Sequence, residues 1–528
     1  MTRLLHELPL DSAARRGEAT CLLHRNATLD YAALASAIEA FARGVVGLGL
    51  ARHDRVAVFL PKQFETVISM FGAVRAGCVF VPVNPLLKPP QVQHILRDCG
   101  VRALVTSPDR LVALAGALDH CPELRHVIVT GAVPDGTDPL QAGPVAWETL
   151  LAAGHTRLPH RVIDLDMAAI LYTSGSTGRP KGVVLSHRNM VTGAVSVAQY
   201  LENRPDDRLL AVLPFSFDYG FSQLSTAFRV GASVVLMDYL FPRDIVTLMA
   251  REAVTGLAGV PPLWSQLADL EWPADATRRL RYFTNSGGTM PRAVLEKLRR
   301  ALPGAKPYLM YGLTEAFRST YLPVADIDRK PGSIGKAIPN AEILVVRPDG
   351  TPCDADEPGE LVHRGSLVAM GYWNDPEKTA ERFRPAPGRP DGIVIPEMSV
   401  WSGDTVRMDA EGYLYFVGRR DEMIKTSGYR ISPSEIEEVA FASGLVADAV
   451  AIGVAHPELG HSIVLVVTAA QGKPPSDGLL YEVCRRELPA FMVPARIEWR
   501  DSLPRNSNGK YDRVLLAREL GQAAGTGG

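Results

Sequence analysis

Short apolar runs alternate with helix-patterned stretches through most of this chain, and that alternation constrains its fold more than any other feature. Arg55-Val-Ala-Val-Phe-Leu60 predicts a strand, Phe64 to Ala76 a helix, and Val79-Phe-Val-Pro-Val83 the next strand. Leu104-Val-Thr106, Val127-Ile-Val-Thr130 and Ala169-Ile-Leu-Tyr172 continue the series. A strand covered on both faces reads as an unbroken apolar run, and the helices between such strands supply the cover. The expected class is α/β with mainly parallel sheets. At 528 residues the chain exceeds one ordinary core, so more than one domain is expected.

From about Ala341 the texture changes. Ile343-Leu-Val-Val346, Gly359-Glu-Leu-Val-His363 and Tyr413-Leu-Tyr-Phe-Val417 read as strands between Gly and Asp turns, with few helices. Beyond Gly418 the pattern is a compact α+β segment. Ser432, Pro433 and Ser434 supply start signals for a helix running to Phe441, and Val450-Ala-Ile-Gly-Val454 and Ile463-Val-Leu-Val-Val467 read as strands. The expected organisation is a large N-terminal domain, residues 1–420, of two α/β subdomains plus a small β-rich subdomain at about 341–420. A C-terminal α+β domain, 421–528, follows. The glycine-rich stretch from Gly521 to Gly528 is expected to be a frayed tail.

Composition narrows the function classes. A formal charge of -2 and a pI near 6.7 provide no basic field for nucleic acid or an anionic membrane. Six scattered cysteines without a C-x-x-C pair read as reduced core thiols. Met1 to Arg16 lacks the apolar core of a signal peptide, and no apolar run approaches eighteen residues. A cytoplasmic location without membrane insertion is expected.

Tyr172-Thr-Ser-Gly-Ser-Thr-Gly-Arg-Pro-Lys-Gly182 follows the apolar run Ala168 to Leu171. Glycines at 175, 178 and 182 let successive backbone N–H groups converge on one anion. Thr173, Ser174, Ser176 and Thr177 add neutral donors and Lys181 a positive charge, a set suited to a polyphosphate. A Walker A loop requires Gly-Lys followed by Ser or Thr. Here Lys181 follows Pro180 and precedes Gly182.

With this loop, further motifs in order along the chain resemble the adenylate-forming superfamily of acyl-CoA synthetases, peptide-synthetase adenylation domains and beetle luciferases. They are Tyr311-Gly-Leu-Thr-Glu315, Gly359-Glu-Leu361 with Gly371-Tyr-Trp373, and Ser402-Gly-Asp404. Gly418-Arg-Arg-Asp421 through Gly428, and Pro504-Arg-Asn-Ser-Asn-Gly-Lys510, complete the series. The resemblance implies ATP and Mg²⁺ as cofactors and the thiol of CoA or of a carrier protein's phosphopantetheine as acceptor. By that resemblance Thr173, Ser174, Gly175, Ser176, Thr177, Gly178 and Lys181 hold phosphates. Gly287, Gly288, Thr289, Tyr311, Gly312 and Thr314 surround the base and the acid. Glu315 holds magnesium through a hard oxygen. Asp404 and Arg419 meet the ribose or phosphate, and Lys510 bridges the acid's carboxylate and the α-phosphate. The resemblance also implies a mobile C-terminal domain with its hinge at Asp421, which exchanges Lys425 and Gly428 between half-reactions.

The acid is the open question. Phe217-Asp218 in Pro214-Phe-Ser-Phe-Asp-Tyr-Gly220 resembles the Phe-Asp pair of amino-acid adenylation domains, whose aspartate meets the substrate ammonium. A buried carboxylate is costly without a cation. The competing reading makes Asp218 the N-cap of a helix from Tyr219 to Phe228. Phe217, Asp218, Gly287 and Gly312 are the expected acid contacts. For Arg318, three residues past the magnesium motif, a structural ion pair is favoured over a contact to an anionic substrate group. The resemblance extends to stand-alone ligases that load amino acids onto carrier proteins and to exosortase-associated ligases. The alternatives are an acyl-CoA synthetase using free CoA with an uncharged acid and, more remotely, a luciferase-like oxygenase.

Overall fold

The computed structural model describes residues 2–134, 144–153, 158–173, 180–388, 392–419, 424–426, 429–456, 460–488, 490–506 and 509–525. The expected α/β class is borne out. Arg55–Phe59 is a strand, Phe64–Ala76 a helix and Val79–Pro82 the next strand. Arg55–Phe59 pairs in parallel with both Val79–Pro82 and Ala103–Thr106 inside an eight-stranded sheet. Phe80, Val105 and Leu171 are fully buried, as strands covered on both faces require.

A second, 14-stranded sheet has a parallel centre. Arg208–Ala211, Gly256–Gly259, Tyr282–Asn285 and Lys306–Tyr311 run side by side in the same direction. At Tyr311 the direction reverses. Thr320–Leu322 returns antiparallel, then Ser333–Ala337, and the pairing passes on to Leu414–Arg419. The β-rich stretch is therefore hydrogen-bonded to the end of the large sheet. Its strands Ala341–Val346, Gly359–Gly365 and Met398–Met408 are antiparallel and enclose a small core of Ile343, Val345, Leu361, Val406 and Leu414.

The C-terminal segment builds its own five-stranded sheet from Ile424–Thr426, Tyr429–Ile431, Val446–His456, Gly460–Ala469 and Arg496–Trp499. A separate core of Ile436, Leu465, Leu480 and Ile497 lies against it. The expected boundary at 420/421 lies outside the described residues. Of the stretch expected to fray, residues 521–525 instead end a helix, Arg513–Gly525, whose Leu516 and Leu520 pack into a small core, and residues 526–528 lie outside the described residues.

Candidate active site

The glycine-rich stretch is flanked by two strands that pair antiparallel. Met167–Thr173 pairs with Lys181–Ser186, with Tyr172 opposite Gly182 and Thr173 opposite Lys181. Residues 174–179, including Ser174, Gly175, Ser176, Thr177 and Gly178, lie outside the described residues. The stretch is followed by a strand, Lys181–Ser186, where a Walker A site is followed by a helix, in agreement with the residue order. Gly371–Tyr372 adds as a further strand on the edge of Lys181–Ser186. That pairing brings the Tyr372 ring 5.6 Å from the Lys181 Nζ.

Tyr372 was not singled out from the sequence as a functional residue, although it stands inside a quoted motif. Its hydroxyl donates to the Glu315 Oε1 at 2.5 Å. Burial and the adjacent Glu315 carboxylate push the phenol far up, so it stays a donor. Glu315 sits in the short 3₁₀ turn Thr314–Ala316, and its carbonyl accepts from the Ala369 amide at 2.8 Å. Its second carboxylate oxygen accepts no hydrogen bond from a described residue, which leaves a hard oxygen for a divalent cation. No group of three or more His, Cys, Asp or Glu among the described residues is placed to hold a metal alone. A magnesium ion that keeps waters and shares phosphate oxygens needs only one or two carboxylates, so the residues fit that ion.

Among the residues expected at the nucleotide, Tyr311 ends its strand beside Phe416, with ring centroids 6.3 Å apart. Its hydroxyl donates to the Asp404 Oδ2 at 2.5 Å. Asp404 is buried, and its amide donates to the Ser402 Oγ at 3.1 Å. Arg382, at the end of the helix Pro376–Arg382, lies close to this group although no motif contains it. Its Nη1 donates to the Trp401 carbonyl at 3.0 Å, where only a glycine at 403 leaves it room. Arg419 stands opposite Asp404 in the strand register, and Lys425 lies in the strand Ile424–Thr426. The side chains of both lie outside the described residues, as do Asp421 and Gly428.

On the acid side, the helix Asp218–Val230 follows the tight passage Pro214 to Phe217. A Cβ at Gly220 would lie 2.0 Å from the Pro214 carbonyl oxygen, so glycine is required for the helix to seat there. The N-cap position is Phe217, not Asp218. The capping reading is thereby corrected: the Asp218 side chain turns inward, away from the helix's free N–H groups. It is buried, accepting from the Thr314 hydroxyl at 3.0 Å and pairing with the Arg318 Nη1 at 3.3 Å. Burial pushes its carboxyl pKa up, against the pull of Arg318, Lys510 and Thr314. The ion pair favoured for Arg318 is present, and its partner is Asp218.

Lys510 reaches this point from the C-terminal segment. Its Nζ lies 5.0 Å from the Phe217 ring centroid, and a Cβ at Gly287 would lie 2.7 Å from its Cε. Gly287 has φ +83°, so a side chain there would be both strained and obstructive. Gly288 and Thr289 are exposed beside it, with the Asn285 Nδ2 donating to the Gly288 carbonyl at 3.0 Å. Gly312 packs against Arg318. The structure thus brings together Phe217, Asp218, Gly287, Thr314, Arg318 and Lys510. A second cluster forms from Thr173, Lys181, Glu315 and Tyr372.

Residues 10–373 match the family model described as AMP-binding enzyme, and residues 435–510 match that of the AMP-binding enzyme C-terminal domain. The chain belongs to the AMP-binding enzyme family. Its relatives include L-proline--[L-prolyl-carrier protein] ligase of Pseudomonas fluorescens, 30% identical over 98% of this chain and 99% of that protein. Feruloyl-CoA synthase of Amycolatopsis sp is also 30% identical, over 97% and 98%. A linear gramicidin synthase of Brevibacillus parabrevis is 29% identical over 97% of this chain, which spans only 10% of that protein's length. Among solved structures, the anthranilate CoA ligase AuaEII superposes with a TM-score of 0.88 at 24% identity, covering 99% of both chains. This AMP-binding enzyme is an AMP-forming acid–thiol ligase.

The chemistry of this AMP-binding enzyme follows from the charges. A carboxylate is already ionised at pH 7, so its attack on the α-phosphate of ATP needs no general base. Catalysis then rests on positioning and on stabilising the charge that moves to the departing pyrophosphate. A magnesium ion would neutralise phosphate charge there, and Glu315, steadied by Tyr372, would hold it. Among the described residues no helix is long and apolar enough to cross a membrane.

Proposed function

We propose that this ligase activates an amino acid with ATP and passes the aminoacyl group to the phosphopantetheine thiol of a carrier protein. One observation carries the reading. Asp218 is a buried carboxylate on the path between Lys510 and Arg318, and its two bonds, to Thr314 and Arg318, use about half of its acceptor capacity. An α-ammonium next to the reacting carboxylate would supply further donors. The relative that loads proline onto a carrier, matching end to end, supports the same reading.

In this scheme Lys510 bridges the acid's carboxylate and the α-phosphate. Residues 174–178 with Thr173 and Lys181 hold the β- and γ-phosphates. Tyr311, Gly288 and Thr289 frame the adenine, and Asp404 and Arg419 hold the ribose. Residues 421–528 turn as a unit about Asp421 so that the thiol replaces Lys510 at the adenylate, with Lys425 and Gly428 changing places.

A second reading has its own support. Arg318 already neutralises Asp218, and an uncharged acid passed to free CoA would leave that pair undisturbed. Acid-dependent exchange of pyrophosphate into ATP across amino, fatty and aryl acids separates the two. Exchange confined to acids with an α-amino group, and weakened at least about tenfold by Asp218→Ala, supports the first. Exchange with fatty or aryl acids alone, or amino-acid exchange indifferent to Asp218→Ala, overturns it.

A further inference from the structure

Arg318 is among the largest fully buried side chains of the protein, at 2% exposure. Of its three guanidinium nitrogens only Nη1 is used, on the Asp218 Oδ2, and that contact is long for a charged pair at 3.3 Å. Nε and Nη2 are buried and have no hydrogen-bond partner. Tyr219 turns its hydroxyl to the Thr284 Oγ1 at 2.5 Å and offers Arg318 only its ring face, 4.8 Å away. Tyr200 donates its hydroxyl to the Met310 Sδ at 2.9 Å and lies near Arg318 without a hydrogen bond of normal geometry to Nε or Nη2. Buried polar groups are almost always paired, and two orphaned donors on one fixed cation form an anion receptor waiting for its partner.

The position of this receptor makes it part of the acid's site. Arg318 is joined through Asp218 to Thr314, next to Glu315, and Asp218 feels the charge of Lys510. The two unpaired nitrogens then select the ligand. A second anionic group on the same acid would give Nε and Nη2 the acceptors that they lack.

We infer that the acid is an acidic amino acid, whose side-chain carboxylate is bound by the free Nε and Nη2 of Arg318 while its ammonium meets Asp218. This rests on the amino-acid reading given above and sharpens it to a substrate class. Planar, paired N–H donors suit a carboxylate in two-point contact, which a lysine at 318 would not reproduce.

The test is pyrophosphate exchange into ATP by the full-length enzyme with a crossed set of acids. Aspartate and glutamate carry both groups, norvaline and leucine only the ammonium, succinate and glutarate only the second carboxylate, and butyrate neither. Asparagine and glutamine replace the second charge by a neutral acceptor. The expected result is an exchange efficiency for aspartate or glutamate at least about 30-fold above that for every other member. Arg318→Gln and Arg318→Lys are expected to collapse that ratio towards unity. Should either variant fail to fold, the ranking measured on the unaltered enzyme still decides.

Norvaline or leucine matching the acidic amino acids would overturn the inference and leave the amino-acid reading standing, the two nitrogens then being satisfied by buried water. Asparagine or glutamine in first place would overturn the anionic group. Succinate or glutarate in first place would overturn the amino-acid reading instead, as would butyrate.

Discussion

The Tyr311 hydroxyl donates to the Asp404 carboxylate at 2.5 Å, tying the last parallel strand of the large sheet to the β-rich strands. One oxygen of the proposed ribose carboxylate is thereby fixed. A hydrogen bond to a charged group contributes about 1.5–3 kcal/mol. Tyr311→Phe keeps the ring for the base and removes that bond. The KM for ATP should rise roughly tenfold with a smaller change in kcat, measured by exchange at varied ATP. An unchanged KM would mean that Asp404 is held by other contacts or does not bind ribose.

Glu315 and Tyr372 form the second such pair. Tyr372→Phe frees the carboxylate to rotate without changing its charge. The magnesium concentration for half-maximal exchange should increase several-fold, and Glu315→Gln should increase it more. Equal magnesium curves for Tyr372→Phe and the unaltered enzyme would contradict a positioning role for the phenol.

The strands and helices were legible where apolar patterning is strong. Phe64–Ala76 and the parallel strands around it lie where their residues place them, because the helix and one face of the strands share one core and the other face packs into a second. Long-range pairing was not legible. Nothing local to Tyr372 says that its neighbours join the edge of Lys181–Ser186, or that its hydroxyl lands on Glu315, 57 residues away. Asp218 shows the same limit. Its N-cap chemistry is a local rule, and the tertiary partners Thr314 and Arg318 override it. Arg382 belongs to no motif and emerges only from its packing beneath Gly403.

Gly220 fixes where Asp218 points. Gly220→Ala would force its Cβ against the Pro214 carbonyl, and close-packed sites of this kind lose about 1–3 kcal/mol when a methyl group is added. The variant should unfold at lower denaturant and should lose acid affinity more than ATP affinity. Equal loss for both substrates would indicate a global defect only.

Acid should weaken the fold before the carboxylates titrate. Burial holds His363 near a pKa of about 3 and His187 near about 4, and burial together with His187 and Arg75 holds His6 near about 3. All three are lowered from an unfolded value near 6.5, so between pH 6.5 and 4 the unfolded chain binds protons that the native chain does not. Their stabilising contribution is complete above pH 6.5 and is lost as pH falls, by about 1.4 kcal/mol per unit for each histidine. Denaturant unfolding at pH 7, 6 and 5 checks this, and constant stability across that range would contradict neutral buried imidazoles.

The most direct measurement of adenylation itself is pyrophosphate exchange into ATP in the unaltered enzyme and in Lys510→Ala. Lys510 lies at the Phe217 ring and Gly287 without a part in any core, so its loss should spare the fold. Adenylation through Lys510 predicts acid-dependent exchange in the unaltered enzyme and a loss of at least about 100-fold in the variant, with an unchanged denaturation midpoint. Exchange in Lys510→Ala at the level of the unaltered enzyme would contradict it.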